Sequence, residues 1–179
     1  MRVPASTYRL QITQDFDLFE AARRLRYLHE LGVDWVYLSP LLAAEPGSTH
    51  GYDVVAFDHI DASRGGAEGL GTLSAEARRL GMGVLVDIVP NHVGVASPTE
   101  EAWWWDVLQH GRESEHATAF DIEWPAGDGK LLIPVVGDGD EGSIQVRDGE
   151  LRYHGHRFPL APGSSTRTAA SVLTAKNRR

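Results

Sequence analysis

Between residues 18 and 31 the apolar side chains fall at Leu18, Ala21, Ala22, Leu25, Leu28 and Leu31. That three-and-four spacing marks one face of a helix, with Asp15 just ahead of it and Gly32 as a stop behind it. A second helical pattern runs through Leu70, Leu73, Ala77 and Leu80 and ends at Gly81. Around these helices the period changes. "STYRLQI" alternates polar and apolar positions and predicts a short strand, whereas "VDWVYLSP" is apolar on both faces, as in a parallel strand covered on both sides. "GVLVDIV" predicts a third strand of the same buried kind. Residues 1–95 therefore read strand, helix, strand, helix, strand. This α/β order predicts a parallel sheet with right-handed crossovers, either doubly wound or the start of a β/α barrel. In either case chemistry gathers beyond the C-terminal ends of the strands.

Beyond residue 95 the pattern changes again. "EEAWWWDVLQHGRE" predicts a short helix with an aromatic face, and "GKLLIPVVG" and "SIQVRDGELRYHGHRF" turn to β character. Asp148-Gly149, between Ile144/Val146 and Leu151/Tyr153, is a hairpin signal. Residues 96–162 thus read as a β-rich insertion, and residues 163–179, small, polar and basic, as a frayed tail. On one helix Trp103, Trp104 and Trp105 point in three directions about 100° apart, so at least one belongs to a core and packing outweighs a sugar-stacking role. His154 and His156 would share one side of a strand, but no third ligand accompanies them.

At 179 residues the chain forms one domain or a piece of one. Its 25 acidic and 17 basic residues give a net charge of −8, which opposes binding to nucleic acid or an anionic membrane. Cysteine is absent, which excludes disulfides and thiolate chemistry. No run approaches the roughly 20 apolar residues of a membrane span, and a cytoplasmic location fits.

Two polar clusters lie after predicted strands. In "VLVDIVPNHVG" a buried strand carries Asp87, whose carboxylate must find donors, and it either orients its neighbours or touches substrate. Pro90 ends the ladder and leaves Asn91 and His92 at the strand mouth, as a loop brace or as part of a site. In "GSTHGYD" no Lys-Ser/Thr follows the glycines, which argues against a phosphate cradle. His50, Tyr52 and Asp53 instead combine an aromatic face with hydrogen-bonding groups, a set suited to a neutral polyhydroxylated ligand or simply to packing the loop.

"GYDV", "GG-EGL" and "GMGVLVDIVPNHVGV" resemble the α-amylase superfamily of glycoside hydrolases, whose Asp-x-Val-x-Asn-His signature reads here Asp87-Ile88-Val89-Pro90-Asn91-His92. Within it, "STYRLQ", "YLHELGVDWVYLSPLLAAEPGSTHGYDV", "WWWDVLQHG", "FDIEWP" and "LLIPVVG" resemble the maltooligosyl trehalose synthase family, over about residues 5–162. The resemblance implies the N-terminal part of a (β/α)8 TIM barrel, about three βα units, followed by the β-rich insertion. It implies that His92 hydrogen-bonds the glucose at the cleavage subsite, that Tyr52 stacks on it, and that Asp53 and Asp87 hold the geometry through an arginine outside this chain. Asn91 matches a calcium ligand of many amylases, but this subgroup is not calcium-dependent, so neither metal nor cofactor is expected. The implied reaction is that of a (1→4)-α-D-glucan 1-α-D-glucosylmutase in trehalose biosynthesis. It acts on maltooligosaccharides and is paired functionally with a maltooligosyl trehalose hydrolase. Its nucleophile and acid/base carboxylates would follow later strands, so the chain reads as an N-terminal fragment with no catalytic residue of its own, inactive alone, whose third strand exposes an unpaired apolar edge. An amylase-type hydrolase fragment and a non-catalytic sugar-binding remnant are the competing readings.

Overall fold

The computed structural model describes residues 3–136, 140 and 143–164. The predicted tail over 163–179 lies outside the described residues from position 165 on. The chain divides into two units, Met1–Gly94 and Val95–Arg179.

The first unit is built from β1 (Thr7–Leu10), α1 (Leu18–Glu30), β2 (Trp35–Leu38), α2 (Gly66–Arg79) and β3 (Gly83–Val86), with all strands parallel in the order β1-β2-β3. Helix α1 begins where the Asp17 carboxylate accepts from the Glu20 amide at 2.8 Å, so the cap is Asp17 rather than Asp15. Its buried residues are Leu18, Ala21, Ala22, Leu25 and Leu28, which is the predicted stripe less Leu31, which is exposed. These pack with Leu73 and Ala77 of α2 and with Leu10, Val36 and Leu38 of the sheet into one core. Both crossover helices therefore cover a single face of the sheet.

The other face carries the residues of opposite parity. Arg9, Tyr37 and Leu85 stand in one register row across the three strands. Strand β3 is less buried than its composition suggests: Leu85 is 38%, Val86 41% and Ile88 68% exposed. Among the described residues β3 pairs only with β2, so its outer edge is unpaired. The strand also stops at Val86, short of the predicted span, and Asp87 lies just past its end.

Gly83 sits opposite Trp35 in the ladder, and a Cβ there would lie 2.0 Å from the indole ring. Valine suits a strand better than glycine. Gly83→Val should nevertheless lower stability, by about 1–3 kcal/mol, because the overpacked indole must move. Urea unfolding followed by tryptophan fluorescence measures it, and an unchanged or raised midpoint would show that Trp35 repacks freely.

Among its described residues the second unit contains α3 (Ala102–His110), short 3-10 turns, and an antiparallel sheet of β4 (Ile144–Arg147), β5 (Glu150–Tyr153) and β6 (His156–Pro159). The Glu101 carboxylate caps α3 by accepting from the amides of Trp103 and Trp104. The Asp148-Gly149 turn has φ of 54° and 77°, the positive pair of a tight hairpin.

Three expectations are corrected here. Over its described residues, 129–136, "GKLLIPVVG" forms no strand, because Pro134 lacks an amide and the chain folds tightly where Val135 N–H donates to the Ile133 carbonyl at 3.0 Å. None of the three tryptophans is a core residue: Trp103 is 42% exposed and stacks on His116, and the buried residue of α3 is Val107. His154 and His156 do not share a strand face, since His154 occupies the β5–β6 turn with φ of 49° and bonds Asp140 at 2.7 Å.

Candidate functional site

At the C-terminal end of the parallel sheet the exposed row continues into a polar network. Asp87 keeps its amide on the Leu38 carbonyl at 2.9 Å, which fixes the backbone two positions beyond Leu85 and sends the carboxylate to the same side. The Tyr52 hydroxyl donates to Asp87 Oδ2 at 2.6 Å, and the Tyr37 phenol lies near the same carboxylate. Arg9 donates from one nitrogen to the Tyr52 oxygen at 3.2 Å and from the other to Gln11 Oε1 at 2.7 Å, while its guanidinium lies 5.7 Å from the centre of the Tyr37 ring. Hydrogen bonding from Tyr52, then from Tyr37 and the Ile88 amide, with the Arg9 charge, holds the Asp87 carboxyl below the ordinary aspartate range despite partial desolvation. The same bond to Asp87 raises the Tyr37 phenol. Arg9 is raised, chiefly by its bond to Tyr52.

Tyr52 arrives at this network on a braced turn. Its amide donates to His50 Nδ1 at 3.1 Å, and the two rings stack at 6.1 Å with 27° between planes. His50 Nδ1 also lies 3.7 Å from Asp53 Oδ1. Asp53 accepts from the Ser48 hydroxyl at 2.5 Å, and Ser48 Oγ accepts from the Gly51 amide at 3.0 Å. Gly51 has φ of 79°, and a Cβ there would meet the Pro40 carbonyl at 2.8 Å, so the turn needs glycine. Beneath the turn Arg64, 1% exposed, donates to the Ser48 carbonyl at 3.0 Å and to Asp61 Oδ2 at 2.6 Å. Burial pushes the Asp61 carboxyl up, but bonds from Ser63 and Ala44 and the Arg64 charge outweigh it and hold the group low.

The sequence-predicted residues thus fall into two groups. His50, Tyr52, Asp53 and Asp87 join one network. Asn91 and His92, both exposed, bond each other at 3.2 Å, and no hydrogen bond among the described residues ties them to Tyr52 or Asp87. Within this chain the cation beside Asp87 is Arg9, and Asp53 is held by the Ser48 hydroxyl. Sequence reasoning passed over Arg9, Gln11 and Tyr37. Their signal was available in the alternation of "STYRLQI" and "WVYL", which puts Arg9, Gln11 and Tyr37 on the side away from the helices. A polar cleft of about 420 Å³ opens beside the turn, lined among others by Thr13, Asp15, Glu45, Ser48, Thr49 and Asp61. Hydroxyls, carboxylates and the ring of Tyr52, a residue 37% exposed, are groups able to hydrogen-bond and stack on a polyhydroxylated ligand.

Parallel βα units with a polar network beyond their strand ends are the arrangement of an α/β fold whose site gathers at the C-terminal ends of the strands. Residues 8–130 match the α-amylase catalytic domain, and the chain belongs to that family. The solved maltooligosyltrehalose synthase of Arthrobacter ramosus superposes with a TM-score of 0.89 at 58% identity, covering 92% of this chain and 22% of its own. A Mycobacterium tuberculosis protein that carries the name maltooligosyl trehalose synthase is 47% identical over 173 residues, 93% of this chain and 23% of its own length. The intracellular maltogenic amylase of Bacillus subtilis is more distant, 37% identical over 106 residues, 59% of this chain and 17% of its own. The described fold is therefore part of an α-amylase-type (β/α) barrel, and the chain spans less than a quarter of the length of its synthase relatives.

Proposed function

We propose that the chain forms the first βα units and part of the donor site of a (1→4)-α-D-glucan 1-α-D-glucosylmutase. That enzyme converts the reducing-end α-1,4 link of a maltooligosaccharide into an α,α-1,1 trehalose link. The observation that carries the reading is the 58% identity to the Arthrobacter ramosus synthase across 92% of the chain. The synthase relatives match over a far larger share of this chain than the maltogenic amylase does, which favours transfer over hydrolysis.

Retaining chemistry at an anomeric carbon needs a nucleophilic carboxylate and a carboxylic acid about 5–5.5 Å apart. Asp87 suits neither role. Two tyrosines and an arginine stabilise its ionised form, so it is a poor proton donor, and its oxygens are engaged in holding Tyr52. The chain's own contribution is binding: Tyr52 offers a ring face, and His92 offers a hydrogen bond, to the sugar whose link is broken. Asp53, His50 and Asn91 shape the loops that carry them. The nucleophile and the acid come from carboxylates outside this chain, and the acceptor is the 1-hydroxyl of the released glucose rather than water. The reading extends to a cytoplasmic location and to a hydrolase that consumes the trehalose-capped product.

A chimera tests it. Residues 5–162 of this chain replace the corresponding segment of the Arthrobacter ramosus synthase, and the product is incubated with maltopentaose. Accumulation of a non-reducing, trehalose-capped product is the expected result. A folded chimera that only releases shorter maltooligosaccharides would overturn the synthase reading in favour of an amylase-type hydrolase.

A further inference from the structure

We infer that Arg9 and Gln11 are positioning residues that set the orientation of the Tyr52 ring from strand β1 and the segment that follows it. The argument begins with donor and acceptor capacity. Arginine has N–H donors and no acceptor, so the Gln11 atom 2.7 Å from Arg9 is the carbonyl Oε1. The Gln11 amide nitrogen must then face the other way, where it donates to the Thr49 carbonyl at 3.0 Å and the His50 carbonyl at 3.3 Å. Gln11 therefore clamps the backbone three and two residues ahead of Tyr52, and Arg9 dictates which way round the clamp is set.

The second contact is at the ring itself. The Tyr52 hydroxyl has one proton, which goes to Asp87 at 2.6 Å, and its oxygen accepts from Arg9 at 3.2 Å. The phenol is pinned at its oxygen between β1 and the end of β3, with His50 stacked on its ring and the residue 37% exposed. Arg9 also lies over the Tyr37 ring. The Tyr52 hydroxyl and the turn that carries Tyr52 are thus both held by the single Arg9–Gln11 pair. The sugar platform that results rests on the reading under Proposed function; the clamp itself does not.

Two substitutions separate the parts. Gln11→Glu keeps an acceptor for Arg9 but turns a carboxylate oxygen toward two backbone carbonyls, so it repels what Gln11 attracted. Arg9→Met removes the fork that Lys cannot replace, because one ammonium does not span Gln11 and Tyr52 with the same geometry. Hydrogen exchange on the intact 179-residue chain is the primary measurement. Both variants should speed exchange of the Gly51 and Tyr52 amides about tenfold while those of α1 and α2 stay protected. Unchanged exchange across residues 48–53 in both variants overturns the inference. In the chimera, Arg9→Met should raise KM several-fold more than it lowers kcat, since ring stacking binds ground and transition states alike. A loss confined to kcat would overturn the positioning role and make Arg9 a group acting on the reaction. Should the chimera lack synthase activity altogether, the functional reading fails while the exchange result still decides the clamp.

Discussion

Replacing Arg64 by methionine is expected to destabilise the first unit by about 3 kcal/mol, the low end of the range for breaking a buried ion pair. The reason is the company this side chain keeps. Arg64 is 1% exposed, and its guanidinium serves both the Asp61 carboxylate and the Ser48 carbonyl. Methionine refills much of the volume but leaves a largely buried carboxylate without its cation and the Ser48 carbonyl without its donor. The remaining bonds from Ser63 and Ala44 keep Asp61 partly satisfied. The Arg64 Nε has no hydrogen-bond partner among the described residues, so removing it also relieves a penalty of about 1–3 kcal/mol, which is why the upper end of the range is not expected. Arg64→Lys should lose less, since it keeps the charge beside Asp61 but gives up Ser48. Urea unfolding of the chain with each variant gives the values. A loss under about 1 kcal/mol for the methionine variant would mean that water reaches Asp61 and that the pair is an ordinary surface one.

That brace also shows where the sequence was informative and where it was not. The helix stripes of α1 and α2, the three parallel strands and the Asp148-Gly149 hairpin were legible, because each is a local period or a local turn preference. His50, Tyr52, Asp53 and Asp87 were singled out because polar groups after apolar strands demand a partner. Arg64 was invisible: it follows Ser63 on a short 3-10 turn, and nothing local says that its side chain runs inward under a loop some sixteen residues earlier. Arg9 and Gln11 were missed for a related reason. Their alternation was read as evidence for a strand, and which face would meet another loop is a tertiary fact. The tryptophan run failed in the opposite sense, since bulk suggested burial for at least one ring, yet the single buried position of α3 is the smaller Val107. "GKLLIPVVG" misled because its apolar content outweighed the proline that breaks any ladder there.

His92→Ala in the chimera should lower kcat/KM about 30- to 1,000-fold, the loss of roughly 2–4 kcal/mol of transition-state stabilisation. The structure sharpens that expectation by fixing the imidazole. Asn91 Oδ1 lies 3.2 Å from His92 Nδ1, a contact that holds the ring by one nitrogen while Nε2 lies on the opposite side of the imidazole. An exposed imidazole on a held ring is suited to a hydrogen bond with a sugar hydroxyl. A static brace would behave differently. If the pair only stiffens its loop, His92→Ala and Asn91→Ala should cost similar, small amounts of stability and leave turnover of maltopentaose nearly intact. If His92 contacts the sugar, Asn91→Ala should fall between wild type and His92→Ala, because the ring remains but its orientation is no longer fixed. Thermal melts must accompany the kinetics, so that activity lost through unfolding is not counted against the site. Full activity in a well-folded His92→Ala chimera would remove His92 from the donor site and leave Tyr52, held by Asp87 and Arg9, as the group on which sugar recognition by this chain depends.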